Sequence, residues 1–532
     1  MRKNVLKGFV VAGVAAISLA SCTKDLNRFP TNDITSVTVY SNPTGYKQAL
    51  AKVYGSFALT GNQGPAGNGD VQGIDEGFSD FYRLYWNVQE LSTDEAVIAW
   101  NDATIQNFHR MSWGSSDAFL QGLYYRCMYQ ITICNEFLKQ STDAKLSENG
   151  ISAADAANIK VYAAEARFLR AYQYANLMDL FGNPPMVTES DVFGSIPKQI
   201  QRKDLFAFIE TELKDIDATL AAPRTNEYGR ADKAAAWALL ARIYLNAQVY
   251  TGTARYADAV TYSKKVIDAG YSLISDYRNL MLADNNLNTS EFILTINYDG
   301  LNTQGYGGST YLVHASTGGS MDPLKQGIPS GGWSGIRTTK NLPNLFPDYT
   351  GAIDKRSQFF TNGQNIDIND MGSFTDGFAV TKYRNVTRSG APAPHLDPGG
   401  TFADVDIPIF RLAEMYLIYA EASVRGGGGD AALALQYINA LRTRAYGNTT
   451  GNITAAQLTA DFILDERGRE LYWEAFRRTD LIRYGRFTSG TYLWPWKGGV
   501  KAGTGVADYR NLYPLPSSDV TANPNLVQNP GY

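Results

Sequence analysis

The chain has 532 residues, a formal net charge of −4, 33 tyrosines and 8 tryptophans. This length is sufficient to bury a large core, in one large domain or in several smaller ones. The slightly acidic balance and the lack of a basic stripe argue against a nucleic-acid-binding protein. Aromatic rings with a polar tip are suited to recognition surfaces, although most of them fill the core of any protein.

The N-terminus has the pattern of a bacterial export signal. Basic residues precede an apolar run over residues 8–20, which is too short to cross a bilayer, since a spanning helix needs about 20 apolar residues. The segment Leu19-Ala20-Ser21-Cys22 then resembles a lipobox. We expect residues 1–21 to be a lipoprotein signal peptide and Cys22 to carry the lipid anchor, with several acyl chains for firm attachment. The alternative is an ordinary signal with an incidental cysteine.

Helical patterns dominate the rest of the chain, and no other segment is apolar enough to span a membrane. Residues 22–39 are polar and are expected to form an extended tether. Apolar periodicity then predicts helices over Pro43–Phe57, Asp117–Leu138, Ala153–Phe181, Lys203–Leu220, Ala231–Tyr250, Ala254–Ala269, Arg411–Arg425 and Ala431–Ala445.

Two of these boundaries have clear local signals. Asn42 followed by Pro43 is typical of a helix N-terminus. Gly182, with two prolines shortly after it, is typical of a helix C-terminus.

Two helix pairs resemble tetratricopeptide units. One pair covers residues 231–269 and the other covers residues 411–445, so residues 271–406 separate them. This insert is rich in Gly, Asn, Thr, Pro and aromatic residues and contains short β-like runs such as Phe292–Ile296. We expect loops and short strands held by a helical frame, a common setting for binding residues.

The two cysteines after Cys22 are predicted to be buried free thiols. Cys127 and Cys134 lie in one predicted helix, and seven helical residues rise about 10 Å. A disulfide requires Cα atoms within about 7 Å, so these two cysteines should not bridge each other.

The charged residues of the helices are expected to hold the scaffold together. Arg167, Arg170 and Arg411 are predicted to bind carboxylates or carbonyls between helices. Glu474 and Arg478 are four residues apart and are expected to pair on a helix face. Such charge runs are usually structural rather than catalytic.

Five segments, in order behind the lipobox, resemble those of one family: Glu165–Ala171 with Leu180–Pro185, Gly229–Ala231 with Ala238–Leu245, Arg411–Leu417 with Ala420–Ala422, Asp465–Leu471 with Phe476–Leu481, and Pro514–Tyr532. The family is the SusD/RagB group of Bacteroidetes outer-membrane lipoproteins. The resemblance covers essentially everything after Cys22.

This resemblance implies a mainly α, SusD-like fold, in which tetratricopeptide-like helix pairs form a scaffold around a large loop-rich insert with short β-strands. Residues 40–532 are expected to form a single unit. Its scaffold would cover about 40–270 and 407–490, its ligand-binding insert about 271–406, and its C-terminal strap about 491–532.

The resemblance also implies a function. A SusD-like protein is a surface-exposed lipoprotein of the outer membrane that captures oligosaccharides and delivers them to a SusC-like TonB-dependent transporter for import. It needs no cofactor or metal and has no catalytic residue. A peptide-binding, RagB-like lipoprotein of the same architecture is the alternative.

The glycan platform of the family uses an aromatic residue after a Ser-Thr-Asp-Glu-like motif and two aromatic residues from the insert. Here Ser92–Glu95 has that motif, and Asp94 is expected to cap a helix that begins near Glu95. Trp333, between glycines that would let a ligand approach, is the first candidate, and the choice between the two insert tyrosines stays open. The resemblance implies these ligand-binding residues: Trp333, Trp100, Asn101, Tyr306, Tyr311 and Arg83, with Trp86 and Trp113 as weaker candidates.

Enzymatic function is the competing hypothesis. The chain has three histidines, at no metal-binding spacing, and lacks the metalloprotease and serine-hydrolase motifs. A glycoside hydrolase needs only two carboxylates across a cleft, a pattern that sequence does not reveal. A surface hydrolase is therefore kept as an alternative, and a surface adhesin is a third.

Overall fold

The structure is a computed structural model that describes residues 36–67, 69–192 and 194–532. The predicted signal peptide and Cys22 lie outside the described residues. Of the predicted tether, only Ser36–Val39 is described, and it is helical rather than extended. In the described ranges, no helix combines the length and apolarity that crossing a bilayer requires.

Helices form most of the regular structure. In chain order they are α1 Ser36–Val39, α2 Pro43–Gly55, α3 Phe81–Glu90, α4 Gln106–Arg110, α5 Ala118–Gln140, α6 Asp143–Glu148, α7 Ala153–Phe181, α8 Arg202–Asp215, α9 Lys233–Leu245, α10 Ala247–Thr251, α11 Tyr256–Ile267, α12 Gly308–Ala315, α13 Leu412–Val424, α14 Ala431–Tyr446, α15 Ala460–Leu471, α16 Arg477–Arg483 and α17 Ser517–Ala522.

The strands are short and pair two by two. They are β1 Ala96–Ile98, β2 Pro185–Met186, β3 Lys198–Gln199, β4 Phe292–Ile296, β5 Ile336–Thr338, β6 Phe359–Phe360, β7 Ala379–Val380 and β8 Ile407–Arg411. The antiparallel pairs are β1–β5, β2–β3, β4–β8 and β6–β7.

The helix boundaries follow local sequence signals. The Asn42 side chain accepts a hydrogen bond from the backbone N–H of Gly45 at 3.1 Å, which caps α2. Asp117 caps α5 in the same way, through the N–H groups of Phe119 and Leu120 at 3.0 and 3.1 Å. Gly182 ends α7 with a φ of +74°, a conformation that favours glycine.

The two tetratricopeptide-like pairs, which are far apart in sequence, stack against each other in space. Helix α9 packs on α11, α11 packs on α13, and α13 packs on α14. The insert leaves and re-enters this stack through the β4–β8 pair, in which Ile296 lies opposite Ile407. One β-ladder therefore joins the two ends of the insert, which we call the neck of the insert, and fixes them to the helical scaffold.

Buried ion pairs join the neck to the C-terminal helices. The Arg411 guanidinium donates to Glu291 at 3.0 Å, to Glu470 at 2.7 Å and to Glu474 at 2.7 Å. All four side chains are at most 2% exposed. This agrees with the predicted role of Arg411.

Arg170 has the same kind of role between helices. It donates to Glu212 on the next helix at 2.6 Å and also pairs with Glu189. Arg167 donates to Glu212 as well, at 2.6 Å. The prediction that these arginines hold carboxylates between helices is confirmed.

The predicted pair between Glu474 and Arg478 is wrong. Helix α15 ends at Leu471, and the chain then passes through left-handed backbone at Trp473 and Ala475, with φ of +67° and +64°, before α16 begins. The four-residue helical spacing is therefore broken. Glu474 instead binds the Lys382 ammonium at 2.6 Å.

The predicted free cysteines are confirmed. Cys127 and Cys134 are both free and fully buried. Burial in apolar surroundings raises the pKa of both thiols.

Candidate functional site

The pairing of β1 with β5 brings two tryptophans from distant segments to one place. Ile98 lies opposite Ile336, and the ladder is extended by the N–H of Ala99, which donates to the carbonyl of Gly335 at 2.8 Å. Trp100 follows β1 and Trp333 precedes β5. Because the strands are antiparallel, both tryptophans lie at the same end of the pair.

The predicted helix after Asp94 is wrong, and this strand is the reason. Residues 96–98 are an apolar run that is fully buried as β1, where β-branched side chains pack well. The Asp94 carboxylate instead accepts two hydrogen bonds from the Arg477 guanidinium, both at 2.7 Å, and one from the Tyr492 hydroxyl at 2.6 Å. Burial alone would raise the pKa of Asp94, but the charge and hydrogen bonds of Arg477, together with the Tyr492 hydroxyl, outweigh it and lower that pKa.

The rings of Trp100, Trp333 and Tyr306 are partly exposed and form a cluster that we call the aromatic platform. The ring centres of Trp100 and Trp333 are 6.4 Å apart, and those of Tyr306 and Trp333 are 6.3 Å apart. The indole N–H of Trp100 donates to the carbonyl of Trp333 at 3.0 Å. The platform is therefore tied together by backbone as well as by ring contacts.

Trp333 rests on a helix, although its sequence context predicts an isolated loop residue. Its ring stacks on the His314 imidazole of α12, with centres 4.6 Å apart and planes 23° apart. Its backbone N–H donates to the carbonyl of His314 at 2.8 Å. Trp333 therefore has one face on a support and contributes the rest of its ring to the platform.

The glycines around Trp333 permit this close packing. A Cβ on Gly335 would lie 2.6 Å from Cζ2 of Trp100, and a Cβ on Gly332 would lie 2.2 Å from the carbonyl oxygen of Thr317. Neither contact is sterically possible for a larger residue unless the Trp100 ring or the Thr317 backbone moves. These glycines thus have a structural role that the sequence pattern did not indicate.

Tyr311 and Arg83 lie beneath the platform. Tyr311 is fully buried in α12, and its hydroxyl donates to Asn87 at 2.8 Å, so its ring is not available to a ligand. The Arg83 guanidinium carbon lies 4.6 Å from the Tyr311 ring centre and 5.7 Å from that of Trp100. Arg83 also donates to the carbonyl of Tyr306 at 3.1 Å, which fixes the third ring of the platform.

The other candidate residues are distributed differently. Asn101 is exposed and directly follows Trp100 in the chain. Trp86 is fully buried and donates to the carbonyl of Trp473 at 3.1 Å. Trp113 is buried too and donates to the hydroxyl of Tyr532 at 2.6 Å, so both of these tryptophans are packing residues.

Sequence reasoning missed two supporting residues. His314 lies behind Trp333, and the Phe402 ring lies 5.7 Å from the Tyr306 ring. Both come from parts of the insert that contact the platform only through the tertiary fold. No local motif marks either of them.

The residues of this surface are suited to non-covalent binding. Aromatic faces bind apolar C–H faces, and neighbouring amide and guanidinium groups can donate hydrogen bonds. In the described residues, no group of three or more His, Cys, Asp or Glu side chains is arranged to hold a metal ion.

Comparison with known proteins places the chain in a family. The model of the SusD family matches residues 349–532, and a model described as "Starch-binding associating with outer membrane" matches residues 81–245. The starch-binding protein SusD of Bacteroides thetaiotaomicron is 36% identical, over 100% of this chain and 99% of its own length. A SusD-like protein of Bacteroides ovatus is 24% identical, over 92% of this chain and 84% of its own length.

Solved structures show the same fold. A SusD superfamily protein from Bacteroides vulgatus superposes with a TM-score of 0.70 at 20% identity, over 92% of this chain and 99% of that one. Surface glycan-binding protein A from Bacteroides thetaiotaomicron, in complex with laminarihexaose, gives a TM-score of 0.69 at 20% identity, over 91% and 99% of the two chains. The predicted mainly α, SusD-like fold is thereby confirmed. With 36% identity to SusD over its whole length, the chain belongs to the SusD family.

Proposed function

We propose that this protein binds glycans at the cell surface and that the aromatic platform is its binding site. The observation that carries the proposal is the cluster of three partly exposed rings, whose neighbouring centres are 6.3 and 6.4 Å apart. A sugar presents an apolar C–H face to a ring and hydroxyls at its rim. The starch-binding relative at 36% identity supports the same function.

Within the site, Trp100, Trp333 and Tyr306 would stack on successive sugar units. Asn101, which is exposed and directly follows Trp100 in the chain, would hydrogen-bond to hydroxyls. Arg83 is 8% exposed, and we assign it to support of the rings rather than to the main contact surface. Since Tyr311 is fully buried, Tyr306 is the insert tyrosine that we propose for the ligand contact.

The shape of the platform favours a curved glycan. The Trp100 and Trp333 planes are inclined by 45°, and those of Tyr306 and Trp333 by 57°. A flat, ribbon-like chain cannot lie against all three rings at once, whereas a chain that turns from unit to unit can. An α-linked glucan is therefore the first ligand to test.

Calorimetric titration of the mature protein tests this proposal. We expect saturable binding of maltoheptaose and weaker binding of cellohexaose, whose β-1,4-linked chain is a flat ribbon. An excess of mixed peptides serves as the control for the RagB-like alternative. Peptide binding without binding of either glycan would contradict the proposal.

We propose that the protein breaks no bond in its ligand. The relatives that it matches are named as binding proteins. A hydrolase would release new reducing ends from maltoheptaose during the same titration. Their appearance at a rate proportional to protein concentration would favour the hydrolase alternative.

We further propose that Cys22 anchors the protein in the outer membrane. We also propose that the protein delivers its ligand to a SusC-like TonB-dependent transporter. The lipobox-like segment and the family resemblance support this proposal. Mild detergent extraction of the native host, followed by affinity purification, should recover the protein from the membrane with one large transporter in near-equal amount. The Cys22→Ala variant should leave the membrane fraction or stay unprocessed. A Cys22→Ala variant that remains acylated and membrane-bound would contradict the proposed anchor. Purification of the wild type without a transporter partner would contradict the proposed delivery.

A further inference from the structure

His314 lies in a position that links the platform to a second loop of the insert. Its side chain is fully buried in α12, behind the Trp333 ring. Nδ1 lies 2.7 Å from the carbonyl oxygen of Gly331, and Nε2 lies 2.7 Å from the carbonyl oxygen of Thr401. The imidazole therefore spans from the Trp333 loop to the loop that carries Thr401.

Only one protonation state satisfies both contacts. A neutral imidazole has one N–H donor and one nitrogen lone pair, whereas the imidazolium has two N–H donors. A carbonyl oxygen only accepts. In the neutral ring, one nitrogen lone pair faces a carbonyl oxygen at 2.7 Å, which is repulsive; in the cation, both contacts are charge-assisted hydrogen bonds.

Burial is the largest influence on the ring and lowers the pKa of His314 below its ordinary value, although the carbonyls of Gly331 and Thr401 and the Asp397 carboxylate raise it. In the described part of the chain, Asp397 is the charged side chain that acts on the ring. That carboxylate also accepts hydrogen bonds from the N–H groups of Thr401 and Phe402, both at 2.7 Å, so it orders the second loop as well.

The second loop reaches the platform through Phe402. Its ring centre lies 5.7 Å from that of Tyr306. A His314 ring that holds Gly331 and Thr401 together therefore supports two of the three platform rings, Trp333 directly and Tyr306 through Phe402.

We propose that His314 is a positioning residue of the aromatic platform, which is held most firmly when both nitrogens of its imidazole carry protons, so that glycan affinity rises as the pH falls. This inference rests on the proposed glycan-binding function. Burial shifts protonation of the ring to lower pH, but the sign follows from the hydrogen bonds: protonation adds a donor toward a carbonyl that otherwise faces a lone pair.

The pH dependence of glycan binding tests the inference. Maltoheptaose is neutral and does not titrate, so any change between pH 5 and pH 8 belongs to the protein. We expect the wild type to bind about fivefold more tightly at pH 5 than at pH 8, the effect of about one hydrogen bond. His314→Gln should bind more weakly at pH 5 and lose the pH dependence, because an amide side chain does not titrate.

His395→Gln is the matched control. His395 is exposed, lies 3.2 Å from Asp404 and makes no ring contact with the platform rings. This variant should keep the wild-type pH profile. A flat profile in the wild type, an affinity that rises with pH, or an unchanged slope in a folded His314→Gln variant would overturn the proposal.

A second measurement is independent of any ligand. The chain has three histidines, so nitrogen NMR of histidine-labelled protein resolves each ring, and His314→Gln assigns the signal of interest. We expect this ring to become doubly protonated as the pH is lowered from 8 to 5, with a simultaneous change at the Trp333 indole. A ring that stays neutral at pH 5 would overturn the inference. If the ring titrates as expected and maltoheptaose does not bind, the proposed function has failed and the role of His314 has not.

Discussion

Replacement of Arg411 by alanine is expected to lower the free energy of unfolding by about 3–5 kcal/mol. Arg411 contacts three buried glutamates, at 3.0, 2.7 and 2.7 Å. It also donates to the backbone carbonyl of Glu470 at 2.8 Å. Its removal leaves three desolvated carboxylates with fewer cations, and an uncompensated buried charge is far more costly than the loss of an exposed pair.

The remaining cations limit the damage but do not abolish it. After the substitution, Glu291 retains Arg444 at 2.9 Å, and Glu474 retains Lys382 at 2.6 Å. Arg411→Lys should have a smaller effect, because it keeps a charge but lacks the planar fork that reaches several carboxylates at once. Urea denaturation followed by circular dichroism measures all of these variants.

Arg278→Ala is the matched control for an ordinary ion pair. Its side chain is 53% exposed and pairs with Asp276 at 2.6 Å. Exposed pairs contribute about 0–1 kcal/mol, so this variant should be close to the wild type. Equal stability of Arg411→Ala and Arg278→Ala would show that the buried cluster does not lock the neck of the insert to the scaffold.

The parts of the fold that depend on local signals could be predicted from the sequence. Asn42 caps α2 through its own side chain, and Gly182 ends α7 through its own backbone. Such effects act within a few residues, so a single sequence contains them. The free cysteines followed from helix geometry alone.

The wrong predictions have a common physical cause, which is competition from distant parts of the chain. Asp94 could have capped a helix, but Arg477 binds it, and the residues after it join a strand from the insert. Glu474 could have paired locally, but Arg411 and Lys382 bind it instead. Tertiary contacts of this kind leave no trace in the local pattern.

In the candidate site, too, some features could be predicted from the sequence and others depend on contacts between distant parts of the chain. Trp100 and Trp333 stand out in the sequence, but only the β1–β5 ladder explains why they meet. The choice between Tyr306 and Tyr311 depends on α12, which turns Tyr311 inward toward Asn87. A segment rich in Gly, Ser and Thr gives a weak helix signal, so the sequence does not indicate this helix or the position of His314 within it.

The largest functional effect is expected for Trp333→Ala. Trp333 is the central ring of the platform, since it neighbours both Trp100 and Tyr306. Binding energy at such surfaces is concentrated in a few central aromatic residues. We therefore expect maltoheptaose affinity to fall roughly thirtyfold or more, which corresponds to about 2 kcal/mol. Isothermal titration calorimetry measures the change.

The fold should survive this substitution, because Trp333 is only partly buried and lies against the margin of the core. Loss of the stacking on His314 should lower stability only moderately, by about 1 kcal/mol. Trp237→Ala is the matched control: this tryptophan is also partly exposed, but it lies on α9, where its indole N–H donates to Asp217 at 2.5 Å. The Trp237→Ala variant loses a comparable ring and should keep the full affinity for maltoheptaose. If folded Trp333→Ala binds maltoheptaose as tightly as Trp237→Ala does, the platform is not the glycan site. If the thermal unfolding midpoint collapses in Trp333→Ala alone, Trp333 is instead a packing residue.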